Sequence, residues 1–276
     1  MNHPDNAAES SLQAAATLLV RQRRLIWAMA KREISDRYAG QMLGAVWAVA
    51  HPLLVMAVYL FVFGYVFKTR IGGTRELPLD YTTYLLAGLV PWLSIQEALN
   101  KAPVSVTSNA SLVKQVVFPL EVLPIKGVLA SLLPQAVSLA VLVIYVIAKF
   151  GALPGTYLLL PLVLLIQIGQ MCGLSFLLSA IGVYLRDLKD IIQVVLLLGM
   201  YLLPIFYLPS MVPAMFRPLL YLNPFSYIVW CYQDVCYFGR IEHPWAWVVA
   251  SALAVIFFAT GWVVFRRLKP MFGNVL

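Results

Sequence analysis

Charged residues are so sparse along this chain that its elements can be read from the gaps between them. The stretch 47–67 contains no Asp, Glu, Lys or Arg; neither does 81–96, which extends through Glu97 to Lys101, nor 127–148. Residues 150–185 are charge-free over 36 positions, with Pro154-Gly155 marking a turn near the start, so the helix there is expected over 156–185. A fifth run begins at 191–206, and a sixth occupies 245–265, with tryptophans at one end and Arg266-Arg267 at the other. About 20 apolar residues are needed to cross a hydrocarbon core of roughly 30 Å. The pattern therefore predicts an all-α polytopic membrane protein with six transmembrane helices.

One region does not fit a simple hairpin. Between the fifth and sixth runs, 207–244 holds a charge-free stretch of 16 residues, Pro218 to Gln233, interrupted by Asn223-Pro224. A helix of that length reaches only about 24 Å. The expectation is a pair of re-entrant helices on the outer side, with Pro209, Pro213, Asn223 and Pro224 as a candidate outer gate. Non-helical backbone at such depth must be covered by protein or a wet cavity.

Before the first run, 18–38 mixes Leu18, Leu25, Trp27, Met29 and Ile34 with six Lys or Arg, which predicts an amphipathic helix on the inner membrane surface. If six spans alternate, 14 of the 20 basic residues fall on the side of the two termini, which the positive-inside rule makes cytoplasmic. The expected organisation is a cytoplasmic N-terminus at 1–46, a transmembrane domain at 47–265 and a cytoplasmic tail at 266–276.

Composition agrees, with 62% hydrophobic and 12% charged residues, about half the charge of soluble domains. The net charge of +8 lies in short segments beside apolar runs, as orientation signals and anionic-lipid contacts do; no nucleic-acid partner is expected. Residues 1–17 show no pattern of a cleaved leader, and Cys172, Cys231 and Cys236 suggest neither a disulfide framework nor a metal site. The chain has no Gly-Lys dipeptide, hence no phosphate-binding GxxxxGK loop, and no GxSxG or HExxH motif. No catalytic residues, metal or cofactor are expected in it.

Three smaller features stand out. His51, followed by Pro52, is the one histidine inside a predicted span. Glu97 and Lys101 have the favourable i, i+4 order for an ion pair. Gly169-x-x-x-Gly173, followed by Ser175 and Ser179, permits close helix approach, either within the chain or at a dimer seam.

Several short motifs follow one another along the chain: Leu43-Gly44-Ala45-Val46-Trp47 with His51-Pro52-Leu53, Leu86-Ala87-Gly88-Leu89-Val90-Pro91-Trp92, Asn109 to Lys114 with Phe118-Pro119 and Leu123-Pro124, Tyr184 to Leu188, Pro204 to Tyr207, and Asn223-Pro224. Their order resembles that of the transmembrane subunits of polysaccharide-exporting ABC transporters. The resemblance covers roughly residues 32–265. It implies a homodimer of six-span subunits in the bacterial inner membrane and two separate ABC ATPase subunits carrying ATP and Mg. The implied substrate is an undecaprenyl-diphosphate-linked glycan, with O-antigen foremost and capsule or teichoic acid as alternatives. His51 departs from an expected Asn, and Tyr232-Gln233 from an expected Arg. A drug or small-lipid exporter of the same fold, and a membrane enzyme acting on lipid-linked sugars, are the rival readings.

Within that reading, residues 108–117 predict a short helix that docks on the ATPase, with Leu112, Val113, Val116 and Val117 as its apolar stripe and Lys114 among them. Arg32 and Arg37 are candidates to contact the lipid diphosphate. The glycan path is expected along Tyr59, Phe63, Tyr201, Phe206 and Tyr207. On a regular helix Tyr59, Phe63 and Phe67 share one face, and Phe61 and Tyr65 lie opposite.

Overall fold

A computed structural model of the chain describes residues 17–18, 20–40, 44, 46–66, 79–115 and 118–275. Among these, regular structure is helical throughout. The α-helices are α1 (Arg23–Tyr38), α2 (Val46–Tyr59), α3 (Tyr81–Lys101), α4 (Ala110–Gln115), α5 (Val122–Phe150) and α6 (Leu160–Gly182). They continue with α7 (Leu188–Tyr201), α8 (Arg217–Leu222), α9 (Ser226–Gln233), α10 (Pro244–Leu268) and α11 (Phe272–Val275).

Among the described residues, four segments are long and apolar enough to cross a membrane: Val46–Phe63, Val122–Phe150, Gly155–Gly182 and Pro244–Met271. The other two runs form helices at the expected places but differ in character. α3 is mostly buried among the other helices, and α7 has only 14 residues, about 21 Å at 1.5 Å per residue. The fifth element was expected to reach Phe206; it stops at Tyr201 because Pro204 lacks an amide hydrogen and disfavours helical geometry in the residue before it.

Local chemistry fixes the helix ends. Asp80 caps α3, accepting from the Thr83 amide at 3.3 Å and the Thr83 hydroxyl at 2.6 Å. It also accepts from the Tyr145 hydroxyl and, at 2.7 Å, from the Lys149 ammonium, tying the start of α3 to the end of α5. Burial works to raise the Asp80 pKa, but Lys149, Thr83 and Tyr145 outweigh it and hold the carboxyl below its ordinary value. α5 ends at Gly151, whose φ of +78° suits glycine. α10 opens with Pro244 in its first turn and closes with Arg266 and Arg267 in its last.

Two departures from the expected helices matter for the site. The first run is not one α-helix: α2 gives way to a π-helix over Leu60–Val66, so the 100° step behind the two-face argument does not hold beyond Tyr59. Phe67 lies outside the described residues. α1 also does more than lie on a membrane surface. Its Ile26 and Ala30 are buried against α5, while Trp27 is 67% exposed.

The Gly169-x-x-x-Gly173 spacing serves a contact within the chain. α6 and α10 pack so closely that a Cβ at Gly173 would stand 2.3 Å from the Phe257 carbonyl carbon, and one at Gly261 would stand 2.0 Å from the Gly173 oxygen. Ser175 and Ser179 are buried. Gln170 donates to the Ala250 carbonyl at 2.9 Å, adding a polar tie to the same seam.

Candidate functional site

The five aromatic residues proposed for the path come from distant parts of the chain and meet. The Phe63 and Phe206 rings stack at 4.3 Å; Tyr59 lies 5.4 Å from Phe206 and 6.3 Å from Phe63. Tyr201 approaches Phe206 at 5.9 Å, and the Tyr207 hydroxyl donates to the Tyr201 carbonyl at 2.6 Å. The Tyr59 hydroxyl points to the Met200 sulfur at 3.3 Å. Phe61 and Tyr65 are exposed at 61% and 76%, so one face of this segment carries the cluster and the other does not.

The non-helical segment that supplies Phe206 is held by side-chain donors. The Tyr84 hydroxyl reaches the Pro204 carbonyl at 2.9 Å and the Tyr207 carbonyl at 3.1 Å; the Tyr81 hydroxyl reaches the Phe206 carbonyl at 3.1 Å. Gln233 donates to the Pro204 carbonyl at 2.6 Å. Buried backbone that leaves a helix needs such partners. They fix the ring of Phe206 against Tyr59 and Phe63.

The gate residues lie on a run of short elements. Pro209 opens a 3₁₀ turn to Met211, and Pro213 precedes α8. Asn223 ends α8 with its side-chain oxygen accepting from the Phe225 amide at 3.1 Å, and Pro224 follows it into α9. Residues 228–232 of α9 are fully enclosed, and a π-helix over Asp234–Phe238 follows.

Three polar sets escaped the sequence reading. Gln135, Gln167 and Tyr232 form a closed buried network, with Gln135 donating to the Gln167 oxygen and to the Tyr232 oxygen, each at 2.8 Å. Asp234, 1% exposed, accepts from the His243 amide at 3.1 Å and from the Trp247 indole at 3.0 Å. Its other oxygen lies 2.8 Å from His243 Nδ1. Glu33 binds Lys126 at 3.1 Å and Lys101 at 3.6 Å. Burial pushes Glu33 upward, but Lys126, Lys101 and Arg37 prevail and leave it below the ordinary carboxylate value. Glutamines inside apolar runs were the available signal for the first set; Asp234 and Glu33 carry no local motif.

The Glu97–Lys101 pair forms as expected, at 3.5 Å, and Arg37 joins it through Glu97. Arg32 and Arg37 do not share a face of α1. Five residues on a helix turn 500°, so the two side chains point about 140° apart. Arg32 is 82% exposed and bonds Asp36 at 3.4 Å, while Arg37 turns inward to α3.

At the candidate coupling segment, Thr107–Asn109 form a 3₁₀ turn that runs into α4. The Ser108 hydroxyl donates back to the Val104 carbonyl at 2.7 Å and accepts from the Asn109 side-chain amide at 3.2 Å. Leu112 is half-buried. Val116 and Val117 lie outside the described residues, as do the side chains of Val113 and Lys114.

The family model described as ABC-2 type transporter matches residues 24–237. The chain belongs to the ABC-2 type transporter family. That makes it a multi-pass membrane protein and a transport subunit rather than an enzyme. Two similar proteins of Klebsiella pneumoniae, each described as an O-antigen export system permease protein RfbA, are 26% and 24% identical over 254 and 257 residues. Both alignments cover 91% of this chain and 95% of the relative. A Myxococcus xanthus protein of the same description is 28% identical over 259 residues, covering 93% of this chain and 96% of the relative. The ABC-2 match takes in the aromatic cluster, the coupling segment and the gate elements.

Proposed function

We propose that this chain is the transmembrane subunit of an ABC exporter that carries a lipid-linked polysaccharide across the bacterial cytoplasmic membrane. O-antigen is the foremost substrate, with capsule and teichoic acid in the same class. It works as a homodimer of six-span subunits with both termini cytoplasmic, and two partner ATPase subunits bind ATP and Mg and supply the energy. The observation that carries the reading is similarity, over 91% and 93% of this chain, to permeases described as O-antigen export system proteins. The aromatic cluster supports it on physical grounds. Sugars present apolar C–H faces beside rings of hydroxyls, and a wall of flat rings with phenolic tips offers close contact without the fixed hydrogen bonds that would arrest a sliding chain.

α3 and α7 belong in this reading as the second and fifth spans. α3 is sheltered by its neighbours, and α7 completes its crossing through the covered segment Pro204–Tyr207. α8 and α9 form the re-entrant outer gate, and α4 contacts the ATPase. The test is deletion of the gene in its host, with complementation. Loss of long-chain surface polysaccharide, accumulation of lipid-linked glycan inside the cell and recovery with the wild-type gene are expected. Unchanged surface polysaccharide would remove the proposal.

A further inference from the structure

A cleft of about 650 Å³ opens among α1, α2, α3 and α5, apart from the aromatic cluster. Its size is that of a small-molecule site. Its two ends differ in chemistry. Arg37, Lys101 and Glu97 stand at one end with His51 nearby, and the rest is mainly apolar, with Val55, Leu93 and Pro134 beside the polar Ser94, Gln135 and Ser138. The ion pairs from Glu97 to Arg37 and to Lys101 hold both cations in position before any ligand arrives. With Glu33 and Lys126, which the same ion-pair network joins to Lys101, three Lys or Arg stand with two carboxylates, a formal net charge of +1.

We infer that this cleft binds a bilayer phospholipid whose headgroup carries a single phosphodiester charge, of the phosphatidylglycerol type. The phosphate meets Arg37 and Lys101 from the open side of the cleft, beside the Glu97 carboxylate that bridges them; the headgroup hydroxyls meet the Asn100 amide, and the first methylenes run along Val55 and Leu93. Position supports a lipid, because the charged end coincides with the basic end of α3, where headgroups lie if that end is cytoplasmic. Volume supports it too. The space equals roughly twenty waters at about 30 Å³ each, more than a free phosphate fills and less than a whole two-chain lipid, so the chains continue into the bilayer. Charge selects the class: one phosphodiester neutralises the site, whereas a lipid diphosphate brings surplus negative charge into a weakly solvated cleft. The site is therefore distinct from the contact that the exported lipid makes, and it stands whatever the exported substrate proves to be.

The test uses the transporter purified with its ATPase in mild detergent, with native mass spectrometry and added lipids of defined type. Wild type is expected to keep phosphatidylglycerol through delipidation and to prefer it to phosphatidylcholine at least tenfold. Val55→Trp fills the apolar end without touching an ion, and Lys101→Gln removes a cation without filling space. Each is expected to lower phosphatidylglycerol retention at least fivefold. Equal retention of the two lipids, or retention unaffected in both variants, overturns the inference. Displacement of phosphatidylglycerol by a lower concentration of undecaprenyl diphosphate also overturns it, and assigns the cleft to the transported lipid.

Discussion

Gly173 shows what a single residue decides in this molecule. A Cβ there would stand 2.3 Å from both the Phe257 carbonyl carbon and the Phe258 nitrogen. These are backbone atoms, so relief requires the helices themselves to move, and overpacking of this kind costs about 1–3 kcal/mol or more. Gly173→Ala is expected to lower the thermal unfolding temperature of the purified subunit by several degrees and to reduce its amount in the membrane. Gly127→Ala is the control, because nothing lies within 4 Å of a Cβ there. Equal behaviour of the two variants would mean that the α6–α10 seam is slack. The small-residue spacing was legible in the sequence, but its partner was not. Spacing tells that a helix can come close, and only the fold shows that Gly261 on α10 is what approaches.

At the scale of elements, each charge-free run holds a helix, and among the described residues four of these segments are long and apolar enough to cross a membrane. Their ends were less legible, since α7 stops for Pro204 and the first run changes to a π-helix within an unbroken apolar stretch. The sequence also missed how α1 is fastened. Glu33 joins Lys126 of α5 and Lys101 of α3, residues more than sixty positions away that no local period connects. Its depressed pKa sets a sign. The stabilisation is present above the unfolded value, about 4.5, and is lost as pH falls through the lower folded value. Wild type is thus expected to lose stability below about pH 4.5 more steeply than Glu33→Gln, which starts lower at neutral pH. Melting curves in detergent between neutral pH and pH 3.5 check this, and parallel curves would show the pairs to be energetically silent. The coupling segment permits a separate test. α4 packs against α11, and Phe272 of α11 is fully buried beside Phe265 at 5.5 Å, so the tail braces α4 from behind. Leu112→Asp is expected to cut ATPase co-purification about tenfold while subunit abundance stays normal. Undiminished co-purification would place the docking surface elsewhere.

Across the whole molecule, one stripe of α2 and its π continuation connects two regions of different chemistry. His51 and Val55 border the cleft near Glu97, and Tyr59 and Phe63, each four residues further on, enter the aromatic cluster with Phe206. The aromatic spacing was legible in the sequence. The position of Phe206 was not, because it depends on Pro204–Tyr207 being held by Tyr81, Tyr84 and Gln233 from other helices. An interfacial belt of aromatics would explain exposed rings such as Tyr65, but Phe63 is half-buried and stacks on the buried Phe206 behind it. The proposed glycan path can therefore be tested by removing flatness and keeping bulk. Aromatic contacts contribute about 0.5–1.5 kcal/mol each beyond the area they bury, so losing two rings weakens the wall by about 1–3 kcal/mol. Tyr59→Leu with Phe63→Leu is expected to reduce long-chain surface glycan roughly tenfold, with subunit abundance and ATPase assembly unchanged. Phe61→Leu with Tyr65→Leu, on the exposed face, serves as the matched control and is expected to export normally. If the first pair exports as well as the control, the cluster is packing and the glycan passes elsewhere. If both pairs fail equally, the defect lies in how the segment sits in the membrane rather than in a wall that touches sugar.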